Sequence, residues 1–358
     1  MAVASKQPEN LLPQVGDWIR TCRNEYEILK LLGKGAYGTV FEVKRKDDHL
    51  AMKIEPENTK RSVLSMDCRV LRGAHEIKSP HFCPLIDRGK VVLRFRYVVM
   101  KLLGRNLWDL RTERSDNRYT LSTSLKIAEQ CLFAIEDLHQ IGYLHRDVKP
   151  NNFAIGRPET GQQQIIHMFD FGLARKYIDE NTKPRSNPPF RGTPRYASLA
   201  ALKRKELSRK DDLESWFYMI VEWTTGLLPW TQLKKSQFAE IAELKENSRF
   251  GNGLSDLLVG CPEKEFHAIL QHIDSMDYHS VPNYDVFYEL IQQAAQVIRS
   301  SQCNDVQFQS NNVDPGEPLD WDRSNRYCGP TKLERHRKVL VNSVENELLE
   351  RKAVEIAQ

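Results

Sequence analysis

Three stretches of this sequence have the residue types and spacing that phosphate chemistry requires. The first is Gly33-Lys34-Gly35-Ala36-Tyr37-Gly38-Thr39-Val40, a G-x-G-x-x-G-x-V run. Glycines here let the backbone turn sharply and approach phosphate oxygens that a Cβ would hold away. The second is His145-Arg146-Asp147-Val148-Lys149-Pro150-Asn151-Asn152. Its Asp147 offers a carboxylate to accept a hydroxyl proton, and its Asn152 an amide oxygen for a hard cation. The third is Asp170-Phe171-Gly172, eighteen residues beyond Asn152, with a carboxylate for a second metal contact. Lys53 lies fifteen positions past Gly38 and supplies an ammonium for the α- and β-phosphates of a nucleotide.

The glycine run alone also suits a dinucleotide-binding fold, in which a helix opens directly after the loop. Here TVFEVKRKDDHLAMKIE follows, a hairpin pattern with β-branched Thr39 and Val40 leading into a strand. A single Asp is ordinarily a cap or turn residue. Four motifs in this order and spacing instead match a protein kinase that uses ATP and Mg²⁺. Lys149, two residues after Asp147, and Thr193 in Gly192-Thr193-Pro194-Arg195-Tyr196 point to serine and threonine as acceptors.

These groups need a scaffold. From Tyr26 the runs YEILKLLG, TVFEVKR, HLAMKIE and KVVLRFRYVVM read as strands, interrupted by one helical stretch, SVLSMDCRVLRGA. From Leu121 the periods lengthen. SLKIAEQCLFAIEDLHQIG carries a helical apolar stripe, and DDLESWFYMIVEWTTG is apolar nearly all round, as a central helix should be. Further helices fit SQFAEIAELKEN, KEFHAILQHIDSM and YDVFYELIQQAAQVIR. The expected fold class is therefore α+β and bilobal, with an antiparallel sheet lobe, a mostly helical lobe and a cleft between them. Residues 1–25 read as an N-terminal extension, 26–100 as the N-lobe, 101–104 as the hinge and 105–298 as the C-lobe. Residues 299–358 read as a C-terminal extension with a helix from Thr331.

Composition narrows the setting. The 358 residues carry a formal net charge of +4, too small to imply nucleic acid. Seven scattered cysteines with no CxxC pair suit reduced thiols rather than zinc or a disulfide framework. The N-terminus lacks a signal-peptide pattern, no apolar run is long enough to span a membrane, and residue 2 is Ala rather than the Gly of a myristoylation site. The expectation is a soluble monomer in the cytoplasm, with the nucleus as an alternative.

The chain resembles the casein kinase I superfamily, most closely its tau-tubulin kinase branch, from about Asp17 to Ala295. The resemblance is carried by Lys53-Ile54-Glu55, Leu103-Gly104-Arg105-Asn106-Leu107, Asp147 through Gly156, Phe190-Arg191-Gly192-Thr193 through Ala197-Ser198, Asp211-Asp212-Leu213-Glu214-Ser215 and Leu228-Pro229-Trp230. It implies that Met100 is the gatekeeper, with the Lys101 carbonyl and Leu103 amide meeting the adenine edge. Leu32, Val40, Ala51 and Ala154 would sandwich the ring, and Asp212 would anchor the catalytic loop. It also implies protein substrates with Ser or Thr acceptors, acidic or cytoskeletal ones among them, and activity without phosphorylation of the activation segment, whose candidate acceptors are Tyr177, Thr182 and Ser186.

Three features depart from the family or stand out within it. Where protein kinases usually carry Ala-Pro-Glu after the activation segment and casein kinase I-like chains Ser-Ile-Asn, this chain has Ser198-Leu199-Ala200. At the helix position that normally supplies a Glu to Lys53, fourteen residues on, stands Asp67. Its shorter reach motivates a second reading, a scaffold without catalysis, and predicts that Asp67→Glu keeps or raises activity. Between 183 and 210, nine cations face only Glu206. That stretch is either a solvated basic surface or a wall attracting acidic or phosphorylated peptides, with Arg195 as the contact.

Overall fold

The computed structural model describes residues 12–35, 38–59, 62–177, 183–302 and 316–332. Ala36, Tyr37, Thr182, Cys303 and nearly all of the helix expected from Thr331 lie outside them. The N-lobe is a six-stranded antiparallel sheet ordered β1-β2-β3-β4-β6-β5. Its strands are β1 (Trp18–Arg20), β2 (Glu25–Gly35), β3 (Gly38–Arg45) and β4 (Asp48–Pro56), then β5 (Leu85–Val91) and β6 (Phe95–Lys101) after the helix α1 (Leu64–Glu76).

Two expectations need correction here. The N-terminal extension is not wholly a lead-in, because β1 pairs with β2, Trp18 opposite Glu27 and Arg20 opposite Glu25. The run KVVLRFRYVVM is not one strand: Val91 pairs with Phe95 across a turn in which Leu93 adopts φ 62°. Beyond the turn, both faces of β6 are packed. Phe95, Tyr97 and Val99 join Tyr26, Ile28, Val43, Met52 and Ile54 in one core, while Val98 packs against Leu64 and Cys68 of α1.

That packing sets the position of α1. Glu55, two residues beyond Lys53, accepts the Val63 and Leu64 amides at 2.9 and 3.4 Å and satisfies the free N–H groups of the helix start. On its lower face Val70, Leu71 and Ala74 enter the core of the C-lobe. Asp67, between these two contact faces, is thereby pressed toward β4.

The C-lobe continues with α2 (Leu107–Thr112), α3 (Leu121–Gln140), β7 (Tyr143–Leu144), β8 (Phe153–Ile155), β9 (Ile166–Met168) and β10 (Arg175–Lys176). It ends in α4 (Leu199–Leu202), α5 (Arg209–Thr225), α6 (Phe238–Asn247), α7 (Gly251–Leu258), α8 (Glu263–Asp274) and α9 (Tyr284–Gln302). The apolar α5 is the centre: Trp216, Phe217, Tyr218 and Met219 are wholly buried, each large side chain contributing about 1.5–3 kcal/mol. The Trp216 indole donates to the Ala128 carbonyl of α3 at 3.0 Å, which fixes the two helices against each other.

The C-terminal extension does not begin as a separate piece. In residues 316–332, Leu319 is buried, Asp320 accepts the Thr120 amide at 2.8 Å, Trp321 donates to the Gln163 carbonyl at 3.0 Å and Tyr327 meets Gln130 at 2.9 Å. This strap braces α3 and the loop between β8 and β9. Among the described residues no helix is long and apolar enough to cross a membrane, and the six described cysteines are free.

Candidate active site

A cavity of about 650 Å³ opens between the lobes. Leu32, Gly33, Lys34, Gly35, Gly38, Val40, Ala51, Lys53, Met100, Lys101, Leu103 and Ala154 line it together with Asp67 and Asp170. The antiparallel register explains how: Val40 lies opposite Lys53 on β4, and Ala51 opposite Met100 on β6. Thr39 is the exception, since its side chain is buried and does not line the cavity. Gly38 has φ +120°, and a Cβ there would fall 2.5 Å from the Ile54 carbonyl oxygen, so the loop can close onto β4 only with glycine. At Gly33 and Gly35 a Cβ would meet nothing within 4 Å, which leaves room for phosphate on this side.

Lys53 reaches Asp67 despite the missing methylene. Its ammonium lies 2.9 Å from Asp67 Oδ2 and 2.9 Å from Asp170 Oδ1. The other oxygen of Asp67 accepts the Phe171 amide at 3.1 Å. Burial works against charge on Lys53, but Asp67 and Asp170 outweigh it and hold the ammonium above its ordinary range. Burial pushes the Asp67 carboxyl up, with Lys53 pulling it back. At Asp170 burial is overcome by Lys53, and the carboxyl sits below its ordinary range.

Below the cavity, Asp147, Lys149 and Thr193 form a closed set of polar contacts. Lys149 Nζ lies 2.6 Å from Asp147 Oδ2 and 3.1 Å from the Thr193 hydroxyl, which donates to Asp147 Oδ1 at 2.7 Å. Asn152 donates its Nδ2–H to the Asp147 carbonyl at 2.8 Å and accepts the Phe169 amide on its own carbonyl at 3.0 Å. This ties it to both Asp147 and the residue before Asp170, and leaves its amide oxygen as a ligand atom. Asn152 and Asp170 thus offer the hard oxygen donors that Mg²⁺ takes alongside phosphate, and the donor set fits that ion.

The catalytic loop is held from beneath by Asp212, which accepts the His145 amide at 2.7 Å and the Arg146 amide at 2.8 Å. The same carboxylate lies 3.0 Å from His139 Nε2, whose other nitrogen is 2.6 Å from the Tyr284 hydroxyl. Arg146 itself has φ 65°, and its guanidinium is pulled down to about 10 by burial and by Arg175 and Arg185 nearby.

The activation segment is anchored without Ala-Pro-Glu. Glu214 of α5 accepts the Leu199 amide at 3.0 Å and pairs with Arg249 at 2.6 Å. Lys245, fully buried, donates to the carbonyls of Pro194, Arg195 and Ala197 at 3.1, 3.2 and 2.5 Å, over the faces of Tyr218 and Trp230. Nothing in the sequence marked Lys245, which sits in a charged helical run that reads as solvated.

Arg195 differs from expectation. Its guanidinium turns inward to pair with Glu222, to donate to the Thr231 hydroxyl at 3.1 Å and to stack over Trp108 at 5.4 Å. Glu222 also accepts the Tyr196 hydroxyl at 2.5 Å and is itself fully buried, so the guanidinium is committed to a charge the fold must neutralise. Lys183, Arg191, Arg204 and Lys205 are exposed and have no ion pair among the described residues.

Comparison with known proteins agrees with this geometry. Residues 26–280 match the protein kinase domain family. A probable serine/threonine-protein kinase of Dictyostelium discoideum is 34% identical over 305 residues, covering 84% of this chain and 57% of the relative. The serine/threonine-protein kinase spe-6 of Caenorhabditis elegans is 33% identical over 325 residues, covering 88% of this chain and 80% of the relative. Casein kinase I homolog 1 of Saccharomyces cerevisiae is 31% identical over 279 residues, covering 74% of this chain and 50% of the relative.

Proposed function

Because the chain belongs to the protein kinase family, as a casein kinase I-like serine/threonine kinase, we propose that it transfers the γ-phosphate of ATP to Ser or Thr of acidic or already phosphorylated proteins. The observation that carries this is the pair of polar clusters on one cleft: Lys53 between Asp67 and Asp170, and Asp147 joined to Lys149 and Thr193.

In this reading the glycine loop and Lys53 orient the phosphates, while Leu32, Val40, Ala51 and Ala154 enclose the adenine between Met100 and the backbone of Lys101 and Leu103. Mg²⁺, held by Asn152 and Asp170, would supply neutralisation of the phosphate oxygens. The substrate hydroxyl bonds the γ-phosphorus as the bond from that phosphorus to the bridging oxygen breaks. Asp147 takes the hydroxyl proton, and Lys149 balances charge on the group in transit. Thr193 keeps Asp147 turned toward the acceptor.

Preference for acidic context rests on the exposed cations next to Thr193. With Arg195 committed to Glu222, Arg191 is the contact we assign, with Arg204 and Lys205 beyond it. Kinship with the tau-tubulin branch, cytoskeletal substrates, a monomeric state and a cytoplasmic or nuclear location belong to the same proposal, on the sequence features above. The scaffold reading rested on Asp67 failing to reach Lys53, and the 2.9 Å pair removes that ground. Labelled ATP with purified chain and an acidic Ser/Thr peptide tests the proposal. Incorporation that Asp147→Asn abolishes supports it, and no incorporation by folded wild type overturns it.

A further inference from the structure

Three guanidinium groups converge behind the activation segment, and one carboxylate sits among them. Arg146 follows His145 in the catalytic loop and donates its Nε–H to the Leu173 carbonyl at 2.8 Å. Arg175 lies on β10, which pairs with β7 so that Arg175 is opposite Leu144, the residue just before His145. Arg185 belongs to the segment itself. Glu206 binds the last two: Arg175 Nη1 at 2.6 Å, Arg185 Nε at 2.5 Å and Arg185 Nη2 at 3.1 Å. The Glu206 side chain is only 5% exposed, while Arg185 keeps 51% of its own. Burial opposes the charge on Glu206, but Arg185 and Arg175 outweigh it and hold the carboxyl below its ordinary range.

This arrangement has the parts of a phosphorylation switch with the phosphate left out. Kinase activation segments are commonly ordered when a phosphate on the segment pairs with arginines. The task is electrostatic: an anion must join a cation of the segment to cations beside the catalytic loop. A carboxylate carries one charge where a phosphate carries about 1.5 to 2, yet its two oxygens suffice for the paired geometry seen here.

We propose that Glu206 is a built-in counter-ion that takes the place of an activating phosphate, clamping Arg185 of the segment to Arg175 beside the catalytic loop. The segment then presents Thr193 to Asp147 with no modification. Glu206 is a positioning residue, acting through the segment and touching neither nucleotide nor acceptor. Its signature in the sequence is that it is the lone acid among the cations of residues 183–210.

The inference rests on the kinase reading, and wild-type activity in the same assay keeps the two apart. The test uses full-length chain with Glu206→Ala, Glu206→Asp and Arg185→Ala, measuring kcat and KM for peptide and for ATP. Sulfate is added at constant ionic strength, with wild type as control. We expect wild type to keep its activity after phosphatase treatment. Glu206→Ala should lose about tenfold in kcat/KM for peptide, near 1.4 kcal/mol, while the KM for ATP stays within about twofold. Sulfate should restore part of that loss but leave wild type unchanged, and Glu206→Asp should fall between. Arg185→Ala, at a half-exposed position, should reproduce the peptide loss and add little to it in the double variant. Full activity in Glu206→Ala overturns the proposal, as does a loss that sulfate leaves untouched. Should Glu206→Ala not fold, normal peptide kinetics in Arg185→Ala overturn it equally. So does a wild type silenced by phosphatase.

Discussion

Lys53 and Asp67 meet at 2.9 Å inside the fold, and the contact survives a side chain one methylene shorter than the family's usual glutamate. The reason is the seating of α1. Leu64 and Cys68 pack on Val98 while Val70, Leu71 and Ala74 pack on the C-lobe, so the helix is held close to β4. Asp67 has 2% exposure and both oxygens are engaged.

This revises the effect of lengthening the side chain. An added methylene must carry the carboxylate past the 2.9 Å at which it already meets Lys53, and crowding of this kind costs about 1–3 kcal/mol. Asp67→Glu should therefore lower activity slightly rather than raise it. Asp67→Ala should lower kcat/KM by about tenfold, because Lys53 loses one of its two partners. Steady-state kinetics of both variants checks this. Alanine at wild-type rate would mean that Asp170 alone holds Lys53.

Gly192 offers a second test, remote from the nucleotide. It has φ +110°, and a Cβ would lie 2.8 Å from the Arg146 carbonyl oxygen. Gly192→Ala must therefore push Thr193 away from Asp147. We expect a fall in kcat for peptide of about tenfold or more, since misplacement of about 1 Å can cost a hundredfold. ATP affinity, read by fluorescence titration, should stay near wild type. A variant with unchanged peptide kinetics would separate Thr193 from the reaction.

His167 on β9 gives the fold a pH dependence. Burial and neighbouring His81 push its imidazole down to about 4, against 6.5 in an unfolded chain. Between those values the unfolded chain takes up a proton that the folded chain refuses. Stability is thus full above about pH 6.5 and declines as pH falls toward 4, by roughly 2 kcal/mol at pH 5. Thermal unfolding midpoints at pH 7 and pH 5 should differ less in His167→Asn than in wild type. Equal acid sensitivity would place the titration elsewhere.

The chemistry was more legible than its supports. The glycine loop, Lys53, Asp147, Asn152 and Asp170 carry fixed spacings; the described loop glycines, Lys53 and Asp170 line one cavity, and Asn152 ties Asp147 to Phe169, the neighbour of Asp170. Residues that hold those groups have no such signature. Lys245 and Glu222 act through long-range contacts to backbone carbonyls and arginines, and in sequence each is one charged residue in a helix; Glu214, which accepts the Leu199 amide, is marked only as part of the run from Asp211 to Ser215. Helix α7 was hidden by Gly251 and Gly253, which local propensity disfavours but which Leu254, Leu257 and Leu258 offset by packing into the core. The N-lobe strands were readable except β1, which falls in the expected extension, and β5, which begins at Leu85 and is parted from β6 at Val92-Leu93-Arg94, an apolar turn that lacks the usual Gly, Asn or Pro.

Substrate choice is open to a peptide-library screen. With Arg195 held by Glu222, Arg191→Ala should weaken selection for acidic or phosphorylated residues, whereas the position of Arg195 should matter through folding. Loss of one charge-assisted contact should reduce the preference by about tenfold. A library favouring basic residues around the acceptor would contradict the assignment.

The central claim is that Asp147 receives the acceptor proton in a cleft already arranged for transfer. Asp147→Asn removes the charge without deleting a phosphate contact, so it separates binding from chemistry. The direct measurement is single-turnover phosphate transfer to an acidic serine peptide by wild type and Asp147→Asn, with nucleotide affinity determined on the same preparations. The account predicts rapid transfer by wild type and essentially none by the variant, at closely similar affinity for ATP. Transfer by the variant at the wild-type rate, or an affinity for ATP that falls as steeply as the activity, would contradict it.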